Sequence, residues 1–237
     1  MGNGLMSGKH RTLIFGLFWI ALFSTTAKAG FVLVTSRTSL NATGQFNLAN
    51  LGPAGTDLPI STQLTANTGE VATISQAAGS PSRVDQSAAT FGWSGNFLPG
   101  QALIWTRYGG PTTFDFGTTK LSSFGYQIQP DVYTRFTAYI SVLDANNIEI
   151  ARFTRDGGSN ANADGSALFI GIAATDSASY FSKIRFGIQT GGNTLNFAYN
   201  SPSFAAVPEP GTVVLGVISA FALIYVKKRR RISNQSA

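Results

Sequence analysis

TRFTAYISVLDANNIEIARFT, residues 134–154, holds two runs of alternating character on either side of a short polar break. In the first run Phe136, Ala138, Ile140 and Val142 occupy every second position, so a strand here presents one apolar face. Asp144-Ala145-Asn146-Asn147 is turn chemistry, because Asn and Asp tolerate left-handed backbone and hydrogen-bond locally. The stretch therefore predicts a β-hairpin, Thr134–Leu143 paired with Ile148–Thr154. In its second arm Glu149 is expected in solvent, facing opposite to Ile148 and Ile150.

The same period recurs on both sides. Ile184, Phe186 and Ile188 alternate, as do Leu168, Ile170 and Ile172. Further strands are expected at Phe31–Arg37, Val71–Gln76, Ala102–Arg107, Leu121–Gln129, Ala167–Ala173, Lys183–Gln189 and Thr194–Tyr199. Asn50–Thr68 and Gln76–Ser87, rich in Gly, Pro, Ser, Thr and Ala, are expected as long loops. No helical period runs for three turns between residues 30 and 206. The pattern predicts an all-β protein with a single antiparallel β-sandwich, jelly-roll-like, over residues 30–206. Of the 18 phenylalanines, all but Phe15, Phe18, Phe23 and Phe221 fall in this span. They can fill its core without disulfides.

Composition removes several chemistries. The 237 residues include no cysteine and one histidine, His10. Zinc and haem sites, cysteine nucleophiles and disulfide scaffolds are thereby excluded, as is a Ser-His-Asp triad once His10 is removed on maturation. The net charge of +6 is concentrated at the two ends. Lys9, Arg11 and Lys28 lie before residue 30, and Lys227, Lys228, Arg229, Arg230 and Arg231 form one run near the C-terminus. Residues 30–206 hold nine basic and ten acidic side chains. A nucleic-acid reader needs a basic face on its folded part, so nucleic acid is not an expected partner.

Leu13–Phe23 (LIFGLFWIALF) follows Lys9, His10 and Arg11 and precedes a small-residue stretch ending Ala27-Lys28-Ala29. A positive start, a short apolar core and a small-x-small end define a secretory signal peptide. Residues 1–29 are expected to be cleaved at the Ala27/Ala29 site, leaving Gly30 first. Thr212–Val226 (TVVLGVISAFALIYV) is a second apolar segment, expected as a single transmembrane helix. The basic run 227–231 then sits in the cytoplasm and residues 30–206 outside. A polar tail, residues 232–237, ends the chain.

Before that segment stands Val207-Pro208-Glu209-Pro210-Gly211. Two prolines around a glutamate hold the backbone extended and accessible at the membrane surface. Taken in order, Pro-Glu-Pro, a short apolar helix and an arginine-rich end over residues 207–231 resemble the C-terminal sorting signal of PEP-CTERM proteins. The resemblance implies an exported bacterial protein processed by exosortase, a membrane-embedded, cysteine transpeptidase-like enzyme. Val207, Pro208, Glu209 and Pro210 are then the sorting motif. The precursor would sit in the inner membrane and the product at the cell surface or outside the cell. Gly92–Thr106, Phe124–Phe153 and Ala167–Ile172 also look like ectodomain stretches of that group, which adds no chemistry.

Three candidate sites remain in the ectodomain. Asn160, Asn162 and Asp164, followed by Gly165, mimic the first half of an EF-hand calcium loop. Position 12 of that loop is Gly171 where Glu is required, and the alternative is a polar loop, Arg155–Ser166, joining two strands. Trp93, Trp105 and Tyr108 are candidates for a sugar-stacking platform, with core packing as the alternative; Trp93 sits in the loop-like GWSGN. A glycosidase needs two carboxylates across a cleft. Most of the ten carboxylates here stand beside turn residues, so no enzyme activity and no cofactor are expected. The function expected is structural or adhesive, in the envelope or extracellular matrix; the alternative is a carbohydrate-binding module for polysaccharide.

Overall fold

The computed structural model describes residues 30–108, 110–190 and 193–208. The expected signal peptide, Glu209, Pro210, the apolar segment 212–226, the basic run 227–231 and the tail lie outside the described residues. Among the described residues no helix is long and apolar enough to cross a membrane.

The described chain is built from strands and three short 3₁₀ turns. In order they are β1 (Phe31–Val34), β2 (Gly44–Gln45), β3 (Ser61–Thr65), β4 (Val71–Gln76), β5 (Ser82–Gln86), β6 (Gly92–Trp93), β7 (Ala102–Trp105) and β8 (Thr112–Asp115). There follow β9 (Leu121–Pro130), β10 (Arg135–Leu143), β11 (Glu149–Gly158), β12 (Leu168–Ala174), β13 (Lys183–Thr190), β14 (Asn193–Thr194), β15 (Phe197–Asn200) and β16 (Ser203–Ala206). They form two sheets. The larger runs β1-β12-β9-β15-β7-β5-β6, with β16 also on β9 and β2 on β16. The smaller runs β11-β10-β13-β8-β4-β3, with β14 on β13. An all-β sandwich is the result.

The hairpin forms as its residues dictate. β10 and β11 pair antiparallel, and Phe136, Ala138, Ile140 and Val142 are all buried. The Asp144 carboxylate accepts from the N–H groups of Asn146 and Ile148, both at 2.8 Å, and Asn147 takes a left-handed φ of 64°. One detail differs. Val142 pairs with Ala151 but Leu143 with Glu149, so Ile150 is an extra, bulged residue. The bulge reverses the phase of the second arm. Ala151 and Phe153 face the core, while Ile148 and Ile150 are 60% and 50% exposed. Glu149 is exposed as expected, beside Arg152.

The core lies between the sheets. Phe114 and Phe186 from the smaller sheet meet Phe124, Tyr126, Phe197 and Tyr199 from the larger one, with Tyr126 and Phe186 ring centroids 4.0 Å apart. Burial raises the pKa values of Tyr126 and Tyr199, so both stay neutral. β9 and β12 cross tightly at Gly125 and Gly171, which face each other in register. A Cβ on Gly125 would come within 2.6 Å of the Phe169 ring, so only glycine fits.

Two expected loops contain strands. β3 lies inside Asn50–Thr68 and β5 inside Gln76–Ser87. Gly- and Ser-rich flanks mask them locally, and pairing with β4 and β7 overrides that composition. The sheet is also not wholly antiparallel, since β5 and β6 run parallel through Gln86↔Trp93.

Candidate functional site

Trp93 is drawn into the fold by that parallel pairing. It is 6% exposed and packs with Val84, Phe97 and Leu103, which removes it from the open loop that GWSGN suggested. Trp105, at the end of β7, is half-buried, and the two indoles stand 6.3 Å apart at 60°. Together they wall a pocket of about 290 Å³ at the β5-β6-β7 end of the larger sheet. Tyr108, the third expected aromatic, does not line it. That side chain is 71% exposed and lies over Gly79 instead.

The pocket takes two aromatics that sequence reading did not single out. Phe91, preceding β6, is 61% exposed and Tyr133, after β9, is 55% exposed. Phe91 holds a φ of 52°, a left-handed conformation costly for an aromatic residue. Its ring sits against Gly55, where a Cβ would come within 2.6 Å of Cδ2. A large ring is thus kept in solvent by a strained backbone and a glycine shelf. Tyr133 is fixed by donating its hydroxyl proton to Ser94 Oγ at 2.7 Å.

Polar groups complete the rim. Arg107 lies over the Trp105 ring at 5.6 Å and pairs with Asp57 at 2.9 Å. Asp131 adds a carboxylate to the lining, from the turn after β9. Apolar rings for stacking, with a cation and a carboxylate beside them, suit a ligand that is flat on one face and hydroxylated at its edges. The signal for Phe91, Arg107, Asp131 and Tyr133 was weak because they come from three separate segments.

Asn160, Asn162 and Asp164 are brought together, but around a donor. The buried Asn96 aims Nδ2 at Asn160 Oδ1 (2.7 Å), Ser166 Oγ (2.9 Å) and Asp164 Oδ1 (3.4 Å). Its Oδ1 accepts from Asn160 N–H at 2.8 Å, and Asn162 contributes only an N–H, to Asn160 Oδ1. An amide NH₂ stands where a cation would need oxygens on every side. The geometry therefore supports the alternative, a polar loop stapled to the β6–β7 connection. Among the described residues no three His, Cys, Asp or Glu side chains cluster as metal ligands.

The Ser166 hydroxyl, then the Ser166 N–H, lowers the Asp164 carboxyl from 3.8 to about 2. A depressed folded value stabilises the fold above the unfolded pKa and loses that contribution as pH falls from about 4 toward 2. Ser166→Ala is expected to move the Asp164 titration up toward the ordinary carboxylate range and to shift the acid unfolding limb to higher pH. NMR titration of the Asp164 carboxyl in both proteins checks this; an unmoved midpoint would refute the assignment. Of the remaining carboxylates, some cap turns, as with Asp115 accepting from Gly117 N–H and Asp176 from the Ser179 hydroxyl, while Asp85, Glu149 and Asp156 lie on strands.

No family model matches the chain, and no curated protein matches it. Among solved structures it is similar to the enzymatically active domain of bacteriophage CBA120 tailspike protein 4, at 10% identity and a TM-score of 0.27. That likeness covers 76% of this chain and 20% of the tailspike chain. At such a score it carries no argument.

Proposed function

We propose that this is an exported bacterial protein of the cell surface or extracellular matrix, and that its β-sandwich is adhesive through carbohydrate held in the Trp93–Trp105 pocket. The observation that carries the reading is Phe91, an exposed ring held at positive φ in the lining of the same pocket as the exposed Tyr133. Folding alone does not favour that arrangement, so a binding role is its simplest reason. Export and sorting rest on the N-terminal signal pattern and on the PEP-CTERM-like residues 207–231. In this reading the partners are the membrane through one C-terminal span, an exosortase-type enzyme and a polysaccharide; neither enzymatic activity nor a cofactor is involved. A jelly-roll description of the sandwich is supported by the strand orders β7-β15-β9-β12 and β8-β13-β10-β11 in the two sheets.

Phe91→Ala and Tyr133→Ala test the pocket, since both rings are exposed and their removal leaves the core intact. Each is expected to weaken binding of host exopolysaccharide about tenfold, equivalent to about 1.4 kcal/mol, with unfolding midpoints unchanged. Affinity electrophoresis through the polysaccharide reads this. Equal retardation of both variants and the wild type would leave the domain with a purely structural role.

A further inference from the structure

A second hollow, about 370 Å³, lies on the far flank of the larger sheet, between the segment after β1, the start of β12, and β11. Two arginines line it. Arg37 is half-buried, with its guanidinium 5.6 Å from the Phe169 ring centroid. Its Nη1 donates to Ser201 O at 3.2 Å and to Ser203 Oγ, and its Nη2 to Asn200 Oδ1 at 3.0 Å. The buried Asn200 is itself held by Gln127, whose Oε1 accepts from Asn200 Nδ2 at 2.6 Å. Arg155 donates Nη1 to Thr35 O at 2.8 Å and to Phe169 O.

Every one of those acceptors is neutral. The ion pairs among the described residues use Arg83, Arg107, Arg152 and Lys183, never Arg37 or Arg155. No carboxylate lines the cavity. Burial lowers the Arg37 pKa, the mark of a cation desolvated without a counter-charge. A partly buried, uncompensated cation is costly, and a rigid one is ready for an anion.

We propose that this cavity binds an oxyanion, a carboxylate or sulfate ester borne on an acidic polysaccharide, through Arg37 and Arg155. Neutral hydrogen bonds hold both guanidiniums in place, so the anion meets a preformed fork and little side-chain entropy is lost. Thr35 and Ser36 also line it, and their hydroxyls suit the sugar hydroxyls around such a group. The site is distant in the fold from the Trp93–Trp105 pocket and does not depend on it.

The test is calorimetric titration of the full-length protein in neutral detergent with trigalacturonate, its methyl ester and a sulfated trisaccharide. At least one anionic probe is expected to bind, with the ester about tenfold weaker than the acid if the carboxylate is the preferred anion, and with affinity falling as salt is added. Preference between uronate and sulfated probe tells which oxyanion the cavity takes. Arg37→Gln and Arg155→Gln are expected to lose tenfold or more, and Tyr133→Ala nothing. Failure of both anionic probes to bind overturns the proposal, as does a folded arginine variant that binds like wild type. Where uronate is the probe that binds, equal binding of its ester overturns it too, and that comparison needs no variant to fold.

Discussion

Phe186→Ala is expected to lower the unfolding free energy by about 3–5 kcal/mol, a large share of the roughly 5–15 kcal/mol that holds a typical domain. Phe186 is fully buried, and its ring meets Tyr126 at 4.0 Å, Tyr199 at 5.1 Å and Phe197 at 6.1 Å across the sheets, and Phe114 of its own sheet at 5.8 Å, between centroids. The void left behind cannot close readily. β13 is fixed by ladders to both β10 and β8, and β9 by ladders to β12, β15 and β16, so neither sheet can settle inward. Phe186→Leu retains most of the volume and is expected to cost less than half as much. Guanidinium unfolding of the purified proteins measures both. A shift below about 1 kcal/mol for the alanine variant would mean that the inter-sheet core is not packed as described.

Replacing Pro208, Glu209 and Pro210 together by alanine is expected to abolish maturation while leaving export intact. On the proposed sorting route the product is a full-length protein, less its signal peptide, accumulating in the inner membrane. The physical basis is length and rigidity. Fifteen apolar residues span roughly 22 Å as a helix against a hydrocarbon core of roughly 30 Å, so the segment is mismatched as a permanent anchor. On that route the five adjacent cations would set its orientation and leave Pro208-Glu209-Pro210 on the outer side. The described chain reaches the exposed Pro208 just after Val207 N–H donates to Lys120 O at 2.8 Å, so the motif begins where the sandwich ends. Intact mass and fractionation in the native host decide it. Normal maturation of the triple variant would make the tail an anchor only.

Local chemistry carried the hairpin, because period-two alternation and an Asp-Asn turn act between near neighbours. The partition of charge and the two apolar ends were equally legible, since they depend on composition and order alone. A bulge at Ile150 was not, because an extra residue is set by what the partner strand requires. β3 and β5 escaped for a related reason: their side chains are ordinary loop residues until β4 and β7 pair with them.

The sequence by itself determined an all-β sandwich between two apolar ends, a phenylalanine core and a near-neutral charge over residues 30–206. Those properties follow from local alternation and from counting, with no reference to distant partners. Only the tertiary structure decided that Trp93 is buried, that Tyr108 stands apart, and that Phe91 and Tyr133 share a mouth with Trp105. It alone placed Asn96 among the candidate calcium ligands and brought Arg37 and Arg155 to one hollow, neither of them in an ion pair among the described residues. The physical reason is that strand order brings together residues tens to more than a hundred positions apart, and a site is defined by such cross-strand neighbours. Alternation says which face a side chain takes; it does not say whose side chain it will meet there.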